Sequence, residues 1–427
     1  MSCPKLLKDE IKHCLGHFFE GAWRQVRAQH LAHWLIAIFL IGAGTFLGHK
    51  LGESQIWMDV RYKAYQNMLH RLTPRAPHPK RTVLVLINDQ EFWGPPFDGR
   101  RPIKRDELAK VVRKVADANP AVIALDVDLS LTTDRTTFES GPYKAETDDL
   151  LNAVKEVAAH RTVVLARRLS YADESGQEFQ PEPAVFDGYP FGDSKVRSGY
   201  ITLPPDIRRI PLAMTMNDRT TKVDSFASAI LGALDEESLR DAKEKEHDAI
   251  PYGTFIEPNR FIHHPAGYVL NSDAKELQED MAFKIVIIGG AWHQFGRNQG
   301  PEYDSHATPV GEVHGAFVHA NYVEALLDSR TYKPMRQSLA TGIEVVFAVI
   351  LAVSLSLNTG LGAKLGIVVL LSAGILGISY LSWQNLGLFF DFLVPVVLLG
   401  AHVVGEKLFS NVRVTQAQGG ESHATLH

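Results

Sequence analysis

The densest group of chemically active residues in this chain lies between positions 304 and 321, in the stretch DSHATPVGEVHGAFVHAN. It combines three histidines, two acidic residues and a Thr-Pro turn directly after an apolar run. Imidazole and carboxylate groups are common metal ligands, and they are also the usual general acids and bases. The stretch is therefore a candidate for a metal site, a catalytic site or the wall of a binding pocket.

A metal site is the less favoured of these readings. His314 and His319 are five residues apart, whereas two ligands on one face of a helix should be four apart. His263 and His264 are adjacent and would point to opposite sides of a strand. We expect neither a metal nor a cofactor, and we expect His319 to lie on a helix face and bond to a neighbouring loop.

Aspartates also follow other apolar runs. Asp89 ends the run RTVLVLIND, and Asp126 lies near the end of AVIALDVDL. The carboxyl ends of parallel strands meet at one edge of a sheet, where ligands bind, so Asp89, Asp126 and Asp304 are expected to converge there. General acid-base catalysis is one use of such carboxylates. Capping of turns and helices is the favoured alternative, because no nucleophile motif accompanies them, and we expect no enzymatic activity.

Alternating strand and helix patterns would place these residues. The alternation predicts an α/β fold whose mostly parallel sheet is covered by helices on both faces. The polar segments 170–198 and 235–260 are assigned to loops and edge elements. The predicted strands are 81–89, 121–129, 161–169 and 283–292, and the predicted helices are 104–118, 147–159 and 315–328.

Four apolar runs are each long enough to cross a bilayer as a helix. Basic residues precede the first run and follow the last, so the positive-inside rule predicts cytoplasmic ends and an outer central domain in an inner-membrane protein. The only cysteines, Cys3 and Cys14, fall in the leader. The predicted organisation is a leader at 1–30, spans at 31–48, 338–357, 361–382 and 386–409, an extracytoplasmic α/β domain at 49–337, and a tail at 410–427.

Composition narrows the choice of partners. The chain has 44 Lys plus Arg against 49 Asp plus Glu, a net charge of -5, which gives no electrostatic basis for binding nucleic acid. Small residues such as Gly44 and Gly48 are spaced for close packing of helices, and they favour a homodimer within membrane lipid.

The order of motifs resembles the second type of CHASE domain, the cyclase- and histidine-kinase-associated sensory extracellular domain. The resemblance covers about 55 to 335 and extends to one span before and three after. The matching segments are MDVRY, VLVLIND, PIKR, VIALDVDL, DDLLNAV, IVIIGG and, most distinctively, DSHATPVGEVHGAFVHANYVEALLDSR. With the strand-end argument, this resemblance implies seven candidate ligand-binding residues: Asp89, Arg105, Asp126, Asp304, Thr308, His319 and Asn321.

The resemblance implies a membrane-anchored bacterial sensor that binds an unknown small ligand. Members of the family usually continue into a cyclase, a kinase or a phosphodiesterase, whereas only a short tail follows the last predicted span here. Signalling is therefore expected to pass through a separate protein or through the cytoplasmic leader, or not to occur at all, and a separate partner protein is the expectation that we carry forward. Two alternatives stay open: an extracytoplasmic hydrolase that uses the strand-end aspartates, and a membrane assembly or transport subunit.

Overall fold

The chain divides into two units, Met1–Tyr65 with Lys333–His427, and Gln66–Tyr332. In the second unit the computed structural model describes residues 78–131, 142–171, 179–204, 207, 209–218, 220–236, 239–240, 249–251, 255–308 and 310–328. In the first unit it describes residues 333–334, 339, 342–343, 346, 366, 369–371, 373–374, 376–378, 381 and 388–389.

The second unit contains fourteen described strands. Its longest strands are rich in β-branched residues, as expected of strands buried on both faces. The strands are β1 Thr82–Asn88, β2 Val122–Asp126, β3 Thr162–Arg167, β4 Leu169–Tyr171, β5 Phe179–Pro181, β6 Val196–Tyr200, β7 Arg209–Pro211, β8 Ala213–Thr215, β9 Lys222–Asp224, β10 Ala249–Pro251, β11 Ile262–Pro265, β12 Ile285–Ala291, β13 Ser305–Thr308 and β14 Gly311–His314.

Helices follow most of the long strands. Side-chain caps begin several of them: Ser225 accepts a hydrogen bond from the Ser228 N–H, and Asp273 accepts one from the Glu276 N–H. The helices are α1 Asp89–Phe92, α2 Arg105–Asp117, α3 Pro142–Ala158, α4 Phe226–Ala233, α5 Ala266–Asn271, α6 Ala274–Met281 and α7 Gly315–Leu327, with one 3-10 turn at Pro258–Arg260.

The main sheet has six strands in the order β11-β1-β12-β2-β3-β6, and every pairing in it is parallel. Strand β12 comes late in the sequence, but in the sheet it lies between β1 and β2. The predicted α/β fold with a parallel, helix-covered sheet is confirmed.

Each face of this sheet carries its own hydrophobic core. Val83, Val85 and Ile87 of β1 pack on one face with α2 and α3, whereas Leu84 and Leu86 pack on the other face with α4 and α7. Successive side chains of a strand point to opposite faces, so one apolar strand supplies both cores.

Several elements differ from the sequence-based prediction. Helix α3 begins at Pro142 rather than at 147, and the opening stretch folds as the antiparallel hairpin β13–β14 before α7 begins. The edge strand β6 begins within the segment 170–198, which was assigned to loops and edge elements, whereas the edge strand β11 and the helices α4 to α6 had not been assigned to any element. Short edge elements are stabilised by neighbours distant in sequence, so their local patterns are weak.

The start of β1 is fastened to the end of α7 by one buried side chain. Glu324 is fully buried, and its two carboxylate oxygens accept hydrogen bonds from the backbone N–H groups of Lys80, Arg81 and Thr82 at 2.7 to 3.0 Å. The Lys80 ammonium also pairs with Asp328 at 2.8 Å. The chain therefore enters this domain beside the point where α7 ends.

The membrane prediction falls mostly outside the described residues. The leader 1–30, the span 31–48 and the tail 410–427 are not among them. Scattered described residues within 338–357 and 361–382 are helical, and the described residues Leu388–Phe389 pair as a short parallel strand, β16, with β15 at Lys333–Pro334. Across the described part of the chain, no helix combines the length and the hydrophobicity that crossing a membrane requires.

Candidate functional site

The candidate site lies at the carboxyl edge of the main sheet, around the end of β12. The helices that follow β1 and β2 pack on one face of the sheet, whereas α7, which follows β12, packs on the other. The chain therefore continues onto one face of the sheet after β1 and β2, and onto the opposite face after β12, which lies between them. Such a divergence opens a crevice at the carboxyl ends of the strands, the usual ligand position in open α/β sheets.

Asp89 is the first polar side chain at this edge. Its carboxylate accepts hydrogen bonds from the His293 N–H at 2.6 Å and the Asn298 N–H at 2.9 Å, and it also lies 2.6 Å from His293 Nδ1. Burial would raise the pKa of Asp89, but these hydrogen bonds hold it below its ordinary value. Asp89 thus fixes the loop after β12, and contact with a ligand stays a prediction for this residue.

Asp126 and His319 form the buried centre of the site. Asp126 ends β2, His319 lies one turn into α7, and Oδ1 of Asp126 is 4.0 Å from Nε2 of His319. Their side chains are only 6% and 5% exposed. Burial, together with the negative charge of Asp304, raises the pKa of Asp126 well above its ordinary value. Burial also lowers the pKa of His319 to about 4, although the charge of Asp304 acts in the opposite direction.

Asp304 approaches the same centre from the hairpin side. Its Oδ1 lies 2.8 Å from His306 Nε2, and its backbone adopts a left-handed conformation with φ of 55°. A Cβ on Gly315 would overlap Oδ2 of Asp304, so the carboxylate can lie against the start of α7 only because that residue is glycine. The charge of Asp304 acts on Asp126, so these two acids lie near each other, although Asp304 precedes the hairpin strand β13 and does not end a strand of the main sheet. Convergence of Asp89 with them stays a prediction.

Gly289 lets helix and sheet approach closely beneath these acids. A Cβ at this position of β12 would stand 2.7 Å from Cβ of Ala316 and 3.5 Å from Oδ2 of Asp126. A larger residue here would push α7, and with it His319, away from the sheet.

Arg105 lies apart from this centre, at the start of α2. It is 2% exposed, and its Nη1 donates to Oγ1 of Thr147 at 2.7 Å, which ties α2 to α3. Burial lowers the pKa of Arg105, while the charges of Asp128 and Glu146 act in the opposite direction.

Thr308 and Asn321 are engaged by the protein backbone. Thr308 Oγ1 donates to the Gly311 carbonyl at 2.6 Å, and so shapes the turn of the β13–β14 hairpin. Asn321 is buried on α7, where its Oδ1 accepts from the Ile256 N–H at 2.7 Å and its Nδ2 donates to the Phe317 carbonyl at 2.9 Å. Contact of these two residues with a ligand also stays a prediction.

An aromatic stack beside the site was missed by the sequence analysis. The ring of Trp292 stacks on Phe92 at 4.1 Å and on Tyr303 at 5.2 Å, and the guanidinium of Arg101 lies over the Tyr303 ring at 5.9 Å. Burial raises the pKa of Tyr303, and the charges of Asp128 and Asp304 raise it further. The aromatic residues are far apart in sequence, so no local spacing could reveal the stack.

The arrangement combines three kinds of hydrogen-bonding group within one crevice. The raised pKa of Asp126 favours a neutral acid that can donate a proton in a hydrogen bond, and His319 is a neutral imidazole at ordinary pH. Asp304 adds a carboxylate at the partly exposed rim. In the described part of the chain no group of three or more His, Cys, Asp or Glu side chains is arranged to hold a metal ion.

The sequence matches the model of a known protein family. The model of the CHASE2 domain matches residues 35–357, which is most of the chain. The chain belongs to the CHASE2 family. CHASE2 domains are sensory extracellular domains, so the resemblance seen in the sequence motifs is confirmed. Among curated proteins and among solved structures, no significant match to this CHASE2 chain was found.

Proposed function

We propose that this CHASE2 protein is an extracytoplasmic receptor that binds a small ligand in the crevice around Asp126, His319 and Asp304. The observation that carries the proposal is the carboxyl group of Asp126. Its side chain is 6% exposed at the carboxyl edge of the sheet, and its Oδ1 lies 4.0 Å from His319 Nε2, which is beyond hydrogen-bonding distance. A buried polar group without a partner is costly, and a ligand that bonds to it would remove that cost.

The proposed receptor binds its ligand without converting it. Asp89 is occupied by His293 and Asn298, and Asp304 engages His306 through Oδ1. Asp126 and Oδ2 of Asp304 therefore remain available for a ligand within the described site. General acid-base hydrolysis usually requires a positioned pair of groups with an activated nucleophile.

The proposed signal passes from this domain to a separate protein. We place the domain outside the inner membrane, anchored by the predicted spans and paired as a homodimer through them. Membership in a family of sensory extracellular domains supports the outer location of the domain.

Small molecules released from the purified full chain test the proposal. After denaturation, mass spectrometry is expected to find a compound that the wild type retains and that Asp126→Asn largely loses, because the substitution alters the central group of the crevice. Asp280→Asn is the matched control. Asp280 pairs with His264 at 3.0 Å beside the far edge strand, so this variant is expected to retain the compound.

Equal retention by Asp126→Asn and wild type would contradict the proposed crevice. The released compound should also be recovered unchanged after incubation with fresh protein. Conversion to a product would favour the hydrolase alternative instead.

A further inference from the structure

The described surroundings of Asp126 lack a compensating cation. Asp304 is the charge that acts on its carboxyl group, and no lysine or arginine among the described residues does so. Asp128, two residues further on, differs in this respect, because its carboxylate lies 3.0 Å from Arg168 Nη1 and accepts a hydrogen bond from the Ser130 N–H. Two neighbouring aspartates of one strand end thus have opposite environments.

The groups that face Asp126 come from each element packed around it. Strand β2 contributes Asp126 itself, the hairpin contributes Asp304 with its partner His306, and α7 contributes His319. Burial lowers the pKa of His319, although the charge of Asp304 and the backbone of Ile201 act in the opposite direction. The imidazole is therefore a poor counter-ion for the acid beside it.

The carboxyl groups of Asp126 and Asp304 each lie against a glycine. Gly289 and Gly315 have no Cβ, and those missing atoms would stand beside Oδ2 of Asp126 and Oδ2 of Asp304, respectively. Both acids can therefore approach the contact between β12 and the start of α7. A positive charge near both acids would favour ionisation of Asp126.

We infer that the crevice binds a small organic molecule through an ammonium group, which would lie between the carboxyl groups of Asp126 and Asp304. This inference rests on the proposed receptor function and names the chemical class of its ligand. An ammonium group has three N–H donors, so it matches the oxygens of Asp126 and Oδ2 of Asp304, whereas Oδ1 of Asp304 already lies against His306. A divalent metal fits less well, because it requires more protein ligands than the described residues supply.

Binding of an ammonium group would also release a proton. Burial and the charge of Asp304 raise the pKa of Asp126, which favours its protonated form in the free protein. The cation favours the ionised carboxylate, so the proton leaves for solvent as the ammonium group enters. Affinity is therefore expected to increase as pH rises over the range in which Asp126 is protonated in the free protein.

Calorimetry on the purified full chain tests the inference with propylammonium chloride as probe and propanol as its neutral counterpart. Propylammonium is expected to bind and propanol is not. Repeating the titration in buffers of different ionisation enthalpy should reveal release of up to about one proton per bound amine. Asp126→Asn and, separately, Asp304→Asn are expected to weaken amine binding by about 30-fold or more, since each removes one partner of a buried charge pair. Asp280→Asn should bind as the wild type does.

The outcomes separate this inference from the receptor function. Equal binding of propanol and propylammonium, binding of zinc chloride instead of the amine, or no response to the amine would overturn the ammonium site. If the molecule released from the wild-type protein is anionic or neutral and is lost from Asp126→Asn, the receptor function stands and the inference falls. If neither the amine nor any released molecule depends on Asp126, both fail. Circular dichroism of each variant establishes that it is folded.

Discussion

The buried imidazole of His319 links the site to the stability of the fold. Its pKa is about 4 in the folded protein, below the ordinary value of 6.5, because burial penalises the charged ring. The unfolded chain therefore binds a proton at a higher pH than the folded chain does. The stability that His319 contributes is complete above about pH 6.5, and it is lost as pH falls from there towards 4.

Asp126 acts in the opposite direction. Its folded pKa is raised, so the carboxyl group lowers stability as pH rises above the value at which the unfolded side chain ionises. In the wild type the pH dependence of stability due to Asp126 and that due to His319 partly cancel. The Asp126→Asn variant lacks the pH dependence of stability due to Asp126, so it should reveal the contribution of His319.

In the Asp126→Asn background, we expect the free energy of unfolding to fall by about 3 kcal/mol between neutral pH and pH 4 because of His319. Adding His319→Gln should remove this fall, because glutamine does not titrate. Urea denaturation of the purified chain at a series of pH values measures it. His160→Gln, at an exposed position just after α3, is the control and should keep the fall. An unchanged slope in the double variant would show that another group titrates.

At the scale of single residues, the sequence predicted where acidic residues gather better than it predicted the partner of each residue. Asp126 could be anticipated, because it ends a strand of the parallel sheet, whereas Asp304 reaches Asp126 from the start of a hairpin that the sequence did not predict. The partners of Asp89 and Asn321 could not, since His293 and Ile256 are distant in sequence and are brought close only by the folded loops. Nor could any spacing reveal that Oδ1 of Asp126 lies beyond hydrogen-bonding distance of His319.

At the scale of the elements, α7 connects the site to the start of the domain. His319, near its beginning, lies against Asp126, and Glu324, near its end, holds the first residues of β1. A helix of this length is a rigid unit within the domain. Displacement of its first turn by a ligand would therefore act on the clamp at its other end.

Glu324→Gln is expected to destabilise the domain by about 2 kcal/mol, because an amide has one acceptor oxygen for three backbone N–H groups and its own NH₂ would face them. The midpoint of urea denaturation should fall, and amide hydrogen exchange at Lys80 to Thr82 should accelerate. Glu107→Gln, which affects a surface pair with Lys110, is the control and should change stability by less than about 0.5 kcal/mol. Protection of the β1 amides equal to wild type would show that the clamp is dispensable.

The long elements were predictable and the short ones were not. The apolar runs of β1, β2, β3 and β12 are continuous, and α2 has one clear apolar face, so their local patterns match the structure closely. The hairpin β13–β14 was hidden because its strands are short and mixed in polarity. Edge strand β11 contains two adjacent histidines and ends in proline, which makes a weak strand pattern.

At the scale of the whole molecule, the predicted topology rests on basic residues outside the spans and on a large domain between them. Reporter enzymes fused after Glu20, Tyr200 and Gly420 are expected to report cytoplasmic, outer and cytoplasmic positions. Activity of each reporter in intact cells, normalised to its expression, measures this. An outer signal after Gly420 would exclude three carboxy-terminal spans.

The contact of Lys80 with Glu324 and Asp328 bears on whether the domain can be transferred from one protein to another. Lys80 contacts both Glu324 and Asp328, so the first and the last described stretches of the α/β domain lie side by side. A domain of this kind can be exchanged between host proteins as a cassette, because a host needs only one surface loop to accept it. Joining the two ends with a short linker and opening the chain at an exposed turn would likewise give a circular permutant with the same two cores.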